Sequence, residues 1–470
     1  MQIRLSSLNF RLNGGTVRIF LSLFMVVSAF PLCAVSTRKV VDDSALRRVL
    51  KESWLIAEPG KVLSNIPKIY TLEGGGRVEV RTAEGREEFS VIFAREIGNS
   101  GIFPCWSQGS WQLTRKKDGG GAVKIQIFLR SDQNTYIQLR KLNNDKCLLD
   151  MVIYDAYFLK SLPISLPPML QDERLKKIYA DAFEWLYTAP VEDVLALAGE
   201  KFKRRYFEPV PELYRDSRQF IGEVRKRLRG LNYGDDGAID ENGRYVFINT
   251  LKGQSEKGEL NCSGFAKWIV DGILWNHTGG KRLAIPPLKE PFGKRGSSFS
   301  EPFERLRDPY FGLDWTRNLA SIAGKTILGP VYGELEEIEV QKWQFSDIIL
   351  RDNQGKTSDF SFPGYLPDAG FGIEGLMPLL YTLAIDEPGY LYLASVNEER
   401  GAPVTPDNLR GTPRLREHFH IGILAPYFDE AGRFHVAVFE SAEETSINSF
   451  KNHPGRYVNL VRVPIQAAFY

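Results

Sequence analysis

Three short stretches carry residue types able to do covalent chemistry. In the first, Asn261-Cys262-Ser263-Gly264-Phe265-Ala266-Lys267-Trp268-Ile269-Val270-Asp271-Gly272, a polar, turn-like run gives way to Phe265, Ala266, Ile269 and Ile273 at helical spacing. Cys262 is therefore expected in the first turn of a helix capped by Asn261, with the apolar face inward. Unpaired N–H groups and the positive end of a helix dipole favour an anion there, so they lower a thiol's pKa. Ser263 and Gly264 are small enough to admit a substrate, and their backbone N–H groups are candidates for an oxyanion hole. The competing reading of Cys262 is a buried structural cysteine.

The second stretch, Glu417-His418-Phe419-His420-Ile421-Gly422-Ile423-Leu424, reads as a strand, and period two places His418 and His420 on one face. Three of the five histidines (His418, His420 and His435) fall close together. A cysteine nucleophile needs a base, most often imidazole, and the base needs a third polar group to orient it. The third stretch, Phe434-His435-Val436-Ala437-Val438-Phe439-Glu440-Ser441-Ala442, reads as the next strand and offers Glu440 or His435 for that task. A different chemistry remains open at this point: His418 and His420, completed by His435 or Glu440, match a zinc hydrolase's ligand types.

The elements that must position these residues fall into regions. Residues 37–165 read as a short helix (Asp43 to Ile56) followed by period-two runs such as Arg77 to Arg81 and Val123 to Ile127, divided by Gly74-Gly75-Gly76 and Gly119-Gly120-Gly121. This predicts a small β-barrel or sandwich with a role in wall or ligand binding. Residues 166–231 read as a helical connector, with apolar stripes Ala180, Phe183, Leu186, Tyr187 and Phe220, Val224, Leu228. Residues 232–470 read as mixed helix and strand. Asp240-Glu241-Asn242-Gly243 lacks the closing glutamate of a calcium loop and is read as a tight hairpin turn. The fold class is α+β.

At this point a family resemblance becomes specific. Asn261-Cys262-Ser263-Gly264-Phe265 is similar to the Asp-Cys-Ser-Gly-Phe signature of the NlpC/P60 cysteine peptidases, and His420-Ile421-Gly422-Ile423 resembles their His-Val-Gly-Ile strand. Glu387-Pro388-Gly389-Tyr390-Leu391-Tyr392-Leu393 resembles their Pro-Gly-Asp-Leu strand, and Val438-Phe439-Glu440-Ser441-Ala442 falls where the family often has Ile-His-Ala. The resemblance covers parts of the chain after Asn232. It implies a papain-like core in which a nucleophile-bearing helix packs on an antiparallel sheet. It also implies Cys262 as nucleophile, His420 as base, Glu440 as third member, and a cell-wall peptide as substrate. Tyr245 lies upstream of the cysteine, where the family often places a tyrosine beside the thiol, and His418 becomes a groove residue. The chain departs from the family in having Asn261 and Tyr390 at two aspartate positions, a glutamate as third member, and a long interval before His420. That interval predicts an insertion at about residues 283–368.

Length predicts about two or three domains. Basic and acidic side chains number 60 and 58, for a formal charge of +2, and such a balance excludes the basic excess expected of a nucleic-acid binder. Arg4, Arg11 and Arg18 precede an apolar run from Ile19 to Phe30, and small residues follow at Ala34 and Ser36, the pattern of an export signal over residues 1–36. The expectation is an exported protein of the periplasm or cell envelope, or a secreted one. It would touch membrane only through an uncleaved signal or a lipid on Cys33. With Cys33 removed three cysteines remain. Cys105 and Cys147 share the strand-rich region and are candidates for a disulfide, leaving Cys262 free; three unpaired thiols are the alternative. No cofactor or metal is expected of the cysteine hydrolase. Besides the zinc enzyme, the remaining alternative is a binding or scaffold protein that kept this fold without catalysis.

Overall fold

The computed structural model describes residues 41–167, 182–255, 258–293, 308–351, 357–401, 415–451 and 453–470. The expected signal over 1–36, Cys33, part of the connector and Ala180 of its first stripe lie outside the described residues. Among the described residues no helix is long and apolar enough to cross a membrane. The architecture is α+β and is dominated by two large antiparallel sheets.

The first sheet begins after helices α1 (Ser44–Leu50) and α2 (Pro59–Leu63). Its strands are β1 (Lys68–Thr71), β2 (Arg77–Glu84), β3 (Glu88–Arg95), β4 (Trp111–Lys116), β5 (Ala122–Ile127), β6 (Tyr136–Lys141), β7 (Lys146–Ile153) and β8 (Ala156–Ser165), each paired with its sequence neighbour. Period-two alternation gives the sheet two unlike faces. Trp111, Leu113, Ile125, Ile127, Ile137, Leu139, Leu149 and Met151 point into one core with Leu50, Trp54 and Leu55. On the other face Gln112, Gln126, Gln138 and Asp150 stand opposite one another across β4 to β7. The expected barrel or sandwich is instead one open sheet. Its hydrogen-bonded order runs from β1 to a distant hairpin, and no described pair closes it. The physical reason is that the apolar face is covered by helical segments, including Phe183, Leu186, Val194 and Leu195 from α3 (Ala182–Trp185) to α4 (Val191–Ala196), so a second sheet is not needed.

After α5 (Arg215–Leu228) the chain forms a two-stranded hairpin, β9 (Ala238–Ile239) and β10 (Tyr245–Val246). Its turn is the one read from the sequence: Asp240 accepts the backbone N–H groups of Asn242 and Arg244, and Gly243 adopts φ 79°. Then come α6 (Cys262–Leu274), α7 (Phe311–Ile327) and α8 (Leu335–Ile338), followed by the hairpin β11 (Asp347–Arg351) and β12 (Thr357–Ser361). This hairpin adds to β8, so part of the expected insertion completes the first sheet at ten strands.

The second sheet has six strands: β13 (Phe371–Gly372), β14 (Tyr390–Arg400), β15 (Leu415–Phe428), β16 (Phe434–Glu440), β17 (Glu443–Thr445) and β18 (Tyr457–Pro464). The order is β13-β18-β14-β15-β16-β17, and all neighbours are antiparallel. Leu391, Leu393, Ile421, Ile423 and Val461 on one face pack against Phe265 and Ile269 of α6 and Trp315 and Leu319 of α7. Tyr392, Ala394, Leu424 and Leu460 on the other face pack against Leu376 and Leu380 of α9 (Leu376–Asp386). A fully buried Phe265 or Ile269 contributes about 2 kcal/mol. A short α10 (Ile447–Lys451) lies between β17 and β18.

Helix α6 is buried on every side from Ser263 to Leu274, not only on the expected apolar face. The two charges this traps satisfy each other: Lys267 Nζ donates to Asp271 Oδ2 at 2.7 Å and to the Ile239 carbonyl at 2.7 Å. Asp271 also accepts the Leu283 N–H at 2.8 Å. Burial lowers the Lys267 pKa and raises that of Asp271, so each ionises because of the other. Removing one partner strands a buried charge. Lys267→Met is expected to cost about 3–5 kcal/mol in urea unfolding, whereas Lys267→Met with Asp271→Leu recovers much of that loss.

Candidate active site

Asn261 starts α6 in extended backbone, and its side-chain Oδ1 accepts the Gly264 N–H at 2.8 Å, which fixes Cys262 as the first helical residue. Gly264 is required by close approach: a Cβ there would lie 1.9 Å from the Gly237 carbonyl oxygen. Its N–H belongs to the cap, so the expected oxyanion role of Gly264 is corrected. The donors of the first turn left over are the N–H groups of Cys262 and Ser263. Ser263 is buried; its carbonyl accepts the Trp315 indole N–H at 2.9 Å, and its hydroxyl lies 4.0 Å from the Cys262 sulfur, so it supports the thiol from beneath rather than lining a groove.

His420 meets this helix start. Strand β15 pairs with β16 only from Ile423 onward, so its edge at His420 to Gly422 is left without a strand partner on that side. The Cys262 thiol sits there, close enough to the His420 ring and the Ile421 backbone for both to shift its pKa. His420 Nε2 lies 2.6 Å from Glu440 Oε2, which leaves Nδ1 as the ring nitrogen available to the sulfur. Glu440 is fixed by Ser449 Oγ at 3.1 Å and by the Thr445 hydroxyl. Cys262, His420 and Glu440 thus come together at one sheet edge, with the thiol partly exposed.

The electrostatics favour a charged pair. Burial raises the Cys262 pKa, but the hydrogen bond and charge of His420, with the Ile421 backbone and the Ser263 hydroxyl, reverse that and hold it below the ordinary thiol value. Burial opposes the His420 imidazolium, yet Cys262 and Glu440 outweigh it and raise the pKa to about 9. Burial likewise raises Glu440, and its bonds to His420 and Thr445 bring it below the usual carboxylate range. Thiolate and imidazolium therefore coexist from the depressed thiol pKa up to about 9.

The other sequence candidates lie elsewhere. His418 and His420 do not share a face. Opposite the adjacent Val396 and Asn397 stand His420 and His418, so Phe419 is an extra, bulged residue that turns the two rings to opposite sides. His418 is buried; its Nδ1 accepts from Ser395 Oγ at 2.8 Å and its Nε2 donates to the Asp368 carbonyl at 2.9 Å. Burial lowers its pKa to about 3, so it stays neutral and anchors the end of the insertion. His435 stacks on Tyr427 and contacts Asp429 at 3.1 Å, which removes it as third member. The alternative zinc set, His418 and His420 with His435 or Glu440, is not assembled: its histidines are separately engaged, and the described residues contain no metal-binding cluster. Tyr245 packs over Gly258. The tyrosine near the thiol is Tyr233, which the sequence reading missed; its pKa is raised by partial burial, by Asp235 and by the charge of Cys262. Residues 232–237 run beside Leu260 and Asn261, with Gly234 N–H donating to the Leu260 carbonyl at 3.1 Å and Asn261 N–H to the Gly237 carbonyl at 3.0 Å. The glycines at 234 and 237 were the available signal for such a close approach.

Cys105 and Cys147 are both free thiols, a correction to the expected disulfide. Cys147 points into the core with Leu149 and Met151, where burial pushes its pKa to about 12, while Cys105 lies over the opposite, polar face. His277 and His453 are at the surface, and Trp268 packs between Phe265 and Phe469, as expected.

Residues 36–206 match the family model described as Domain of unknown function (DUF8515). No curated protein and no solved structure matches the chain. The matched segment ends before Tyr233 and before the helix and strands that carry Cys262, His420 and Glu440.

Alkylation by iodoacetamide, read by mass spectrometry on the Cys262 peptide, tests the charge state. Half-maximal reactivity is expected below the ordinary thiol pKa of about 8.5, on the order of tenfold or more lost at neutral pH in His420→Ala, where burial alone governs the thiol. In Glu440→Gln the imidazolium loses a partner, so the window closes from both ends: the thiol pKa rises and that of His420 falls.

Proposed function

We propose that the chain is an exported cysteine hydrolase that cleaves a peptide or amide bond in cell-wall peptides. The observation that carries this reading is the His420 ring held by the Glu440 carboxylate at 2.6 Å beside the Cys262 thiol, with ring and thiol shifting each other's pKa. A helix that begins at the nucleophile and packs on an antiparallel sheet bearing base and orienting acid is also the papain-like arrangement that the NlpC/P60 resemblance implies. Export rests on the charge and hydropathy pattern of residues 1–36.

The chemistry follows from the groups present. The Cys262 thiolate adds to the scissile carbonyl carbon, and the developing oxyanion lies near the Cys262 and Ser263 N–H groups at the helix start. His420, protonated at Nδ1, gives that proton to the departing amine as the C–N bond breaks, leaving a thioester on Cys262. The now neutral ring takes a proton from water, whose oxygen attacks the thioester and releases the acid and the thiolate. Glu440 keeps the ring oriented and stabilises its charge throughout.

Peptides carrying an amide between D-glutamate and a diamino acid are the substrates to assay. Turnover is expected to vanish in Cys262→Ala and His420→Ala and to fall about a hundredfold or more in Glu440→Gln. The kcat/KM profile should be bell-shaped, falling at low pH as the thiol takes a proton. Above about 9 it falls again as His420 loses the proton it must donate. Hydrolysis that persists in Cys262→Ala would refute the assignment. Fast alkylation without turnover of any amide would reduce the site to a reactive thiol.

A further inference from the structure

The polar face of the ten-stranded sheet carries a cavity of about 500 Å³, remote in sequence from Cys262. Three side-chain amides form its floor. Gln112, Gln126 and Gln138 stand opposite one another on β4, β5 and β6, with Gln112 Nε2 donating to Gln126 Oε1 at 2.7 Å and Gln138 Nε2 to Asp150 Oδ2 at 3.1 Å. Aromatic rings stand around them: Trp106 and Tyr157 are partly exposed and Tyr136 is nearly buried, and together with Phe128 and Ile349 they make a small apolar cluster on this side of the sheet.

We infer that this cavity binds a glycan. A sugar ring presents axial C–H groups on its faces and hydroxyls at its rim. Aromatic faces take the first. Amides, each donor and acceptor at once, take the second. Other ligand classes fit less well. An extended peptide would need a free strand edge for its backbone, but β4 to β8 are paired on both sides and the cavity lies on their face. A phosphate or nucleic acid would need uncompensated cations. Of the charged groups at the cavity, Arg351 is matched by Asp155 at 2.7 Å and Asp359 by Lys160 at 2.6 Å, which leaves Lys124 as a single further lining cation, too little for a polyanion. This inference does not rest on the catalytic reading, since the two sites share no residue.

Cys105 lines the same cavity and is partly exposed, so the unmodified chain reports on its own occupancy. The experiment is alkylation of the full chain in the presence of chitotetraose, cellotetraose or maltotetraose, with Cys105 and Cys262 peptides quantified in one sample. At least one saccharide is expected to slow Cys105 labelling several-fold and saturably while Cys262 labelling is unchanged. Comparing the three tells whether acetamido groups or linkage geometry are required. Trp106→Ala and Gln126→Leu, each checked for an unchanged melting transition, should each weaken binding in calorimetry by about tenfold. Protection of Cys262 instead of Cys105, binding indifferent to both variants, or no protection by any of the three at saturating concentration would overturn the inference.

Discussion

Moving a proton from a half-buried thiol to a half-buried imidazole creates two charges where water is scarce, and burial opposes both. At Cys262 and His420 the balance is tipped by what flanks the pair: the amide-rich start of α6 on the sulfur side and the Glu440 carboxylate on the ring side. Glu440 is in turn kept ionised by hydroxyl donors from Thr445 and Ser449, which belong to β17 and the adjoining turn of α10. The group therefore has an anchor at each end, the helix start and the hydroxyl donors, and neither belongs to the strand that carries the ring.

Much of the architecture can be understood as support for that helix start. Asn261 caps it, Gly264 lets it approach the Gly237 backbone, and Lys267 with Asp271 ties its second and third turns to β9 and to Leu283. Helix α7 lies beside it on the same face of the six-stranded sheet. Trp315 of α7 donates to the Ser263 carbonyl, one residue from Cys262. Arg317, also of α7, joins Glu339 at 2.7 Å and Asp368 at 2.9 Å, and the Asp368 carbonyl accepts from His418. His418 thus helps to place the elements around His420.

How much of this was legible depended on the range of the rule applied. The helix at Cys262, the cap at Asn261, and the strands holding His420 and Glu440 follow from spacing and capping within a dozen positions, and the structure has them there. The bulge at Phe419 does not, because a bulge is a property of two strands and β14 supplies the mismatch at Val396 and Asn397. Tyr233 went unseen since its nearness to the thiol comes from a parallel run beside Leu260 rather than from sequence separation. Likewise, nothing local announces that β11 and β12 will join a sheet whose other strands end at Ser165. The disulfide is a different case. Cys147 is in phase with Leu149 and Met151, and period two alone places it on the core face.

The hairpin β11–β12 gives the boundary of the DUF8515 match a mechanical meaning. A chain cut at residue 206 would keep β8 and lose the strand that covers it, where the Ser346 N–H meets the Tyr157 carbonyl at 3.0 Å and the Ile349 N–H the Asp155 carbonyl at 2.7 Å. It would also lose Phe345, Tyr381 and Phe428 from the core it shares with the first sheet. What remained would be a β-layer with an open flank and a hole in its filling, prone to recruit a neighbour's edge in place of its own. The matched segment thus ends short of elements that share its sheet and its core.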